Sequence, residues 1–346
     1  MSEFPAKYKI EPGPFPPTWE SLRAYRVPEW FRDAKLGIWA HWGPQSVPMF
    51  GDWYARNMYR EGERQYRHHW RVYGHPSQHG WKDIVKLWKA ERFDPAGLMK
   101  LYAAAGAKYF VAQAVHHDNF DNWDSAHNRW NATKVGPLRD IVGLWRESAL
   151  REGLRFGVTE HLGASFSWWR GNKGADQTGP FAGVPYDGRD PACRDLYHDN
   201  QTDKDGWLTE NPVWHEHWFN RIKDLVDKYQ PDLLYSDSGL PWDRVGLSLE
   251  CTSSIPIVPI PSNRRQPSSA PAVIRLARSA FACGPGVFAN VCRLPAPGDH
   301  ARPWKKASTS RVISWSRKFS GDPKIMAIVR KSAGYRSTCH HTGSAR

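Results

Sequence analysis

Imidazoles and carboxylates recur in this sequence where short apolar runs stop. The run Leu36 to Gly43 (LGIWAHWG) contains His41, and Lys108 to His117 (KYFVAQAVHH) closes on His116-His117. Leu154 to His161 (LRFGVTEH) closes on Glu160-His161, and Leu233 to Tyr235 is followed by Ser236-Asp237. A single Asp or His in such a place ordinarily caps a turn or satisfies the core. Four together point to a shared polar site, in which carboxylates move protons or attack an electrophile while imidazoles donate and accept hydrogen bonds. Trp39, Trp42, Trp53, Tyr54, Phe120, Trp123, Phe166, Trp168 and Trp169 lie in the same stretches. Rings beside carboxylates and imidazoles suit a sugar, whose C–H faces stack on them while its hydroxyls need polar partners. Trp39, inside an apolar run, reads as plain core. Successive strand residues point to opposite sides, so only one of His116 and His117 faces the site directly unless the strand has already opened into loop.

The elements that must hold these residues read as repeated strand-then-helix units. Asp94-Pro95 supplies an N-cap and a first-turn proline for a helix with Leu98, Leu101, Tyr102 and Ala105 at helical spacing, stopped by Gly106. Leu138, Ile141, Trp145 and Ala149 mark a second helix ending at Gly153, and Asn211-Pro212 opens a third with the stripe Trp214, Trp218, Ile222, Leu225 and Tyr229. Four β/α units result up to about residue 240, the last represented by its strand. Helix-to-strand turns are minimal, whereas the strand-to-helix connections Trp42 to Trp81 and Gly163 to Glu210 are long. Loops of that length in a compact domain are usually lids or binding loops, which puts the site at the C-terminal ends of the strands.

Four separated motifs carry a resemblance. Gly37-Ile38-Trp39-Ala40-His41-Trp42-Gly43, then Ser46-Val47-Pro48 with Trp53-Tyr54-Ala55-Arg56-Asn57-Met58-Tyr59, the segment Ala114 to Phe120 with its His-His-Asp, and the Leu234 to Pro241 turn occur in one order. Over residues ~15–245 the chain resembles the α-L-fucosidases of glycoside hydrolase family 29. The resemblance implies a (β/α)8-like barrel and retaining hydrolysis that releases terminal α-L-fucose from a fucosylated oligosaccharide or glycoconjugate, with no metal or other cofactor. It implies Asp237 as the nucleophile and His41, His116, His117 and Trp53 as residues that hold the sugar. The family usually has Glu before the Trp-Tyr of its first loop, where this chain has Asp52, one methylene shorter. His161 joins the sugar-facing set by its place at the third strand end. A retaining enzyme needs a second carboxyl group roughly 5–5.5 Å from the nucleophile to protonate the leaving oxygen. Glu160 is one candidate, with a partner that orients a histidine as its other reading. Asp243, Glu250, Asp299 and Asp322 are the only acids after Asp237.

Composition divides the 346-residue chain at about residue 247. Residues 247–346 hold 16 Lys+Arg and 3 Asp+Glu, so all of the +13 net charge resides there, together with 4 of the 5 cysteines and only 2 of the 19 tryptophans. Residues 1–246 are therefore read as a catalytic α/β domain, the N-terminal part of an incomplete barrel. Residues 247–346 are read as an irregular basic tail, disordered or frame-shifted, without strand periodicity. The tail lacks the interleaved aromatic and basic residues of a nucleic-acid binder. The cysteines show no metal spacing. No signal peptide or run of transmembrane length is visible, which gives a cytoplasmic location by default, although the resembling family is often exported or lysosomal. The sequons at Asn131 and Asn200 matter only on export. Two rival readings are a metal-dependent barrel hydrolase using His41, His117, His161 and Asp237 as ligands, and a fucose-binding remnant without turnover. An open half barrel with a self-repelling tail is expected to be poorly soluble, trypsin-sensitive beyond about residue 250 and of little activity.

Overall fold

The computed structural model describes residues 24–201 and 207–237, together with the backbone of two strands at 312–315 and 325–329. Four short strands, β1 (Leu36–Ala40), β2 (Tyr109–Gln113), β3 (Arg155–Glu160) and β4 (Leu233–Ser236), pair in parallel in chain order. Their near-continuous apolar sequences fit strands covered on both faces. Register aligns Ile38, Phe110 and Phe156 across the first three. The alternation of side chains then sorts residues by parity. Ile38, Ala40, Phe110, Ala112, Phe156, Val158 and Leu234 enter the main core under the helices. Trp39, Tyr109 and Val111, with Leu233 and Tyr235 against them, form a smaller cluster on the opposite face. The sheet needs Gly37 at its first strand, because a Cβ there would overlap the Tyr109 ring.

Three helices cover the first face. Helix α1 (Pro95–Ala104) is capped by Asp94, whose carboxylate accepts from Gly97 N at 2.9 Å, and the chain leaves it through Gly106 at φ +90. Helix α2 (Ile141–Arg151) is capped in the same way by Asp140 through Gly143 N at 2.9 Å. Helix α3 (Pro212–Tyr229) is capped by Asn211 through Val213 and Trp214, and buries the whole expected stripe from Trp214 to Tyr229. Two leucines depart from the periodic reading. Leu101 is 60 % exposed, because Leu98, Met99 and Tyr102 already define the packed side of α1. Leu138 is 66 % exposed and sits at φ +54 in the turn before Asp140, outside the helix.

The expectation of a tail without strands is corrected at two places. Strand β5 (Val312–Trp315) pairs antiparallel with β6 (Ile325–Val329), and β6 runs antiparallel along β1, giving the order β4-β3-β2-β1-β6-β5. Runs of four and five residues are too short to show a period, so their β-branched and apolar makeup was the only signal available. The boundary near residue 247 lies outside the described residues. Among the described residues no helix is long and apolar enough to cross a membrane.

Candidate active site

Each parallel strand delivers one or two polar groups to the same end of the sheet. His41 follows β1, His116 and His117 follow β2, His161 follows β3 and Asp237 follows β4. The rings of His41, His116 and His161 form a triangle with centroids 5.1 to 5.2 Å apart, and His117 is 5.2 Å from His161 and 4.8 Å from His116. Asp237 closes the group, with Oδ2 3.6 Å from His161 Nδ1 and Oδ1 accepting from Tyr235 Oη at 3.1 Å. Asp52 reaches in from the loop after β1, its Oδ2 3.8 Å from His41 Nε2. Both His116 and His117 belong to the group, because β2 ends at Gln113 and the chain has turned before it reaches them.

Burial sets the charge state. It pushes His116 and His161 well below the ordinary imidazole range and His117 down to about 4, with the neighbouring imidazoles acting in the same direction. His117 Nδ1 lies 2.7 Å from the His161 carbonyl, which can only accept, so Nδ1 carries the proton and the neutral ring presents Nε2 as an acceptor. Neither ring nitrogen of His161 makes a hydrogen bond among the described residues, and neither does His116 Nδ1. Burial raises the Asp237 carboxyl above its ordinary range, against the Tyr235 hydroxyl that favours its ionised form. Nitrogens of His116, His117 and His161 lie within 4.8 Å of one another, as do ligand atoms of His41, Asp52 and His116, so either trio has donors that could hold a metal ion.

Glu160 lies on the other side. It shares the parity of Phe156 and Val158, faces the helices, and its Oε2 accepts from Leu162 N at 2.8 Å and Trp218 Nε1 of α3 at 3.2 Å. Burial raises its carboxyl to about 7, against the bonds from Ser236, Leu162 and Trp218. Asp243, Glu250, Asp299 and Asp322 lie outside the described residues.

Of the nine aromatic residues named beside the motifs, three touch the pocket imidazoles, Trp39 among them although its place in an apolar run reads as core. Trp39 forms a floor, edge-on to His41 at 5.0 Å and 6.0 Å from His161; it is buried, as an aromatic inside a strand should be. Trp168 stacks on His117 at 4.6 Å, and Trp53 stands 6.2 Å from His117. Trp42, Tyr54, Phe120, Trp123, Phe166 and Trp169 belong to the main core. Tyr54 still has a positioning part: its hydroxyl meets His69 Nδ1 at 3.0 Å, and His69 Nε2 meets the His79 carbonyl at 2.8 Å, which fixes the turn that carries Trp53.

The two long loops are tied to each other by carboxylates that the sequence reading passed over. Asp176 accepts from Tyr66, Tyr186 and His75 Nε2, the last at 2.9 Å. Asp187 accepts from Tyr59 at 2.6 Å, Tyr197 at 2.6 Å and Lys82 at 3.1 Å. The segment with His116 and His117 is held by Arg221 of α3, which pairs with Asp121 and Asn119, and by Asn122, whose amide donates to the Trp42 and Gln113 carbonyls. Apart from Tyr186, Tyr197 and the Gln113 carbonyl, which lie within ten residues of their partners, these pairs are 80 to 128 residues apart, so nothing local announced them. The missed rim residues are Arg56 and Trp207, which line the opening beside Trp53 and Trp168.

The profile of the alpha-L-fucosidase family matches residues 4–318, continuing past residue 247 where the motif resemblance was read to stop. The chain is 30% identical to tissue alpha-L-fucosidase of Rattus norvegicus over 230 residues, covering 66% of this chain and 43% of that protein. It is 33% identical to plasma alpha-L-fucosidase of Homo sapiens over 241 residues, covering 67% and 45%. The crystal structure of Thermotoga maritima alpha-fucosidase in complex with fucose superposes with a TM-score of 0.50 at 29% identity, over 66% of this chain and 50% of that one. The matches thus span about half or less of the length of these relatives.

Proposed function

Because the chain belongs to the alpha-L-fucosidase family, we propose that its polar pocket binds a terminal α-L-fucosyl residue of an oligosaccharide or glycoconjugate and hydrolyses it with retention, Asp237 acting as nucleophile. The observation that carries this is the placement of Asp237: on the face shared with Trp39 and Tyr235, 3.6 Å from His161, beside the neutral imidazoles of His116 and His161, whose hydrogen-bonding capacity is not filled among the described residues. In the first step the Asp237 carboxylate attacks the anomeric carbon, the bond to the leaving oxygen breaks, and that oxygen takes a proton from an acid. In the second, water attacks the same carbon, gives up a proton to the base form of that acid, and frees Asp237. His117 Nε2 accepts from a sugar hydroxyl, and His41, His161 and Asp52 complete the polar wall with Trp53 against a C–H face. Glu160 faces α3, so its part is to hold the β3 end and the Trp218 indole in place, and the acid is sought among the residues after Asp237.

Trapping tests the assignment. A fluorinated fucosyl fluoride, whose glycosyl ester turns over slowly, should add one fucosyl mass to the peptide containing Asp237. Labelling of another carboxylate, or none in protein that binds fucose, refutes the role of Asp237.

A further inference from the structure

Beyond the imidazoles the pocket opens onto two tryptophans that the fold leaves in solvent. Trp53 is 42 % exposed and Trp207 is 37 % exposed, in a protein whose other pocket aromatics, Trp39 and Trp168, are buried. The pair is ordered. Its ring centroids are 5.5 Å apart at 30°, each packs on Trp168, at 5.1 and 6.2 Å, and Ser167 Oγ holds the Trp207 carbonyl. Trp207 lies 6.3 Å from His117, so its face continues the wall of the sugar pocket outward. The Arg56 guanidinium sits over Trp207 at 4.7 Å, and its Nη1 is buried with no hydrogen-bond partner among the described residues. The charged neighbours that act on it are Arg60 and Arg170, both cations. An exposed aromatic ring and a buried guanidinium nitrogen without a partner each cost stability unless a ligand covers them.

We infer that Trp207 and Arg56, next to the fucose-holding Trp53, form the leaving-group subsite of this pocket, and that it takes a flat-faced group, a sugar ring or an aryl, carrying a carboxylate or sulfate. The inference rests on the fucosidase reading. A terminal fucose fills the closed end, over Trp39 and among the imidazoles, so whatever it is attached to must leave past the only tryptophans exposed along that wall among the described residues. The ring faces stack on the leaving group and the guanidinium pairs with its anion.

Three hydrolysis-resistant ligands separate the parts: methyl, phenyl and 4-carboxyphenyl 1-thio-α-L-fucosides, titrated calorimetrically against the full chain. Phenyl should bind about fivefold to tenfold more tightly than methyl through stacking, and carboxyphenyl about tenfold more tightly again through the charged pair. Trp207→Ala should erase the methyl-to-phenyl gain and leave the methyl ligand within about twofold, while Trp207→Phe, which keeps a ring face, should restore most of it. Arg56→Gln should erase only the carboxylate gain. The subsite is overturned if the wild type binds all three alike, or if Trp207→Ala weakens the methyl ligand as much as the phenyl one. Failure of the methyl ligand and of free fucose to bind at all refutes the fucosidase reading, and the subsite with it.

Discussion

Two groups of buried ionisable side chains lie on the same end of the sheet and are treated oppositely. Asp176 and Asp187, in the loop clasp, each accept three side-chain donors. His161 and His116, in the pocket, keep ring nitrogens without hydrogen bonds among the described residues. Buried polar groups that serve the fold are satisfied by the fold, and those that serve a ligand wait for it. The charge states differ within the clasp as well. At Asp176 burial is outweighed by the Tyr186, Tyr66 and His75 donors, which hold the carboxyl below its ordinary range, whereas burial raises the Asp187 carboxyl against Lys82, Tyr197 and Tyr59; burial and the neighbouring imidazoles keep His116 and His161 neutral. The clasp fixes where the loops lie, and the loops fix Trp53 and Trp168 against His117.

Substitutions on the two sides should therefore divide into losses of function and losses of stability. The largest expected effect is on turnover. Asp237→Asn should slow aryl-fucoside hydrolysis on the order of 10⁴-fold while fucose affinity stays within about tenfold, since a nucleophile acts on the transition state. Near-normal turnover would remove Asp237 from the role.

Next is the clasp. Asp187→Ala takes the acceptor from two buried tyrosine hydroxyls and leaves Lys82 with Asp83 alone, and should cost roughly 1–3 kcal/mol in denaturant unfolding for each hydroxyl left without an acceptor. Asp187→Asn, which keeps acceptor capacity for the tyrosines, should cost less. Equal, small losses for both would mean that the clasp is dispensable and that the contrast with the pocket fails.

A pocket imidazole should show the reverse pattern. His161→Ala should weaken fucose binding by roughly 0.5–1.5 kcal/mol, the range for a hydrogen bond from a neutral ring to a sugar hydroxyl. Its cost in unfolding should fall below that of Asp187→Ala. Unchanged affinity would return His161 to the structural class.

The smallest effect is a pH slope. The folded pKa of His117 is depressed from 6.5 to about 4, so the unfolded chain takes up the proton first and stability is lost as pH falls from about 6.5 to about 4. Glu160 is raised from 4.5 to about 7, so its effect has the opposite sign, with stability lost as pH rises from about 4.5 to about 7. Relative to wild type, Glu160→Gln should gain stability over that interval and His117→Gln should gain as pH falls, each by about 1.4 kcal/mol per pH unit at most. Parallel curves for the variants and wild type would show that neither group titrates differently in the folded protein.

The sequence by itself determined the four strands, the caps at Asp94, Asp140 and Asn211, and the polar residues at each strand end, because periodicity, capping chemistry and strand termination are local rules. It also determined the family, through motifs that lie within single strands and turns. Tertiary structure decided the rest. Glu160 and His161 are adjacent in sequence, and only the packing of Trp218 from α3 shows that the carboxylate turns to the helices while the imidazole turns to the pocket. Seven of the nine aromatic residues near the motifs went into the main core, Trp168 among them although it also stacks on His117, since an aromatic side chain is the same residue on either face of a sheet. Asp176, Asp187, Arg56 and Trp207 acquire meaning only where two loops meet, and β6 only where it lies along β1. Those contacts join residues far apart in the chain, and no periodicity along a sequence records which distant segment will supply the partner.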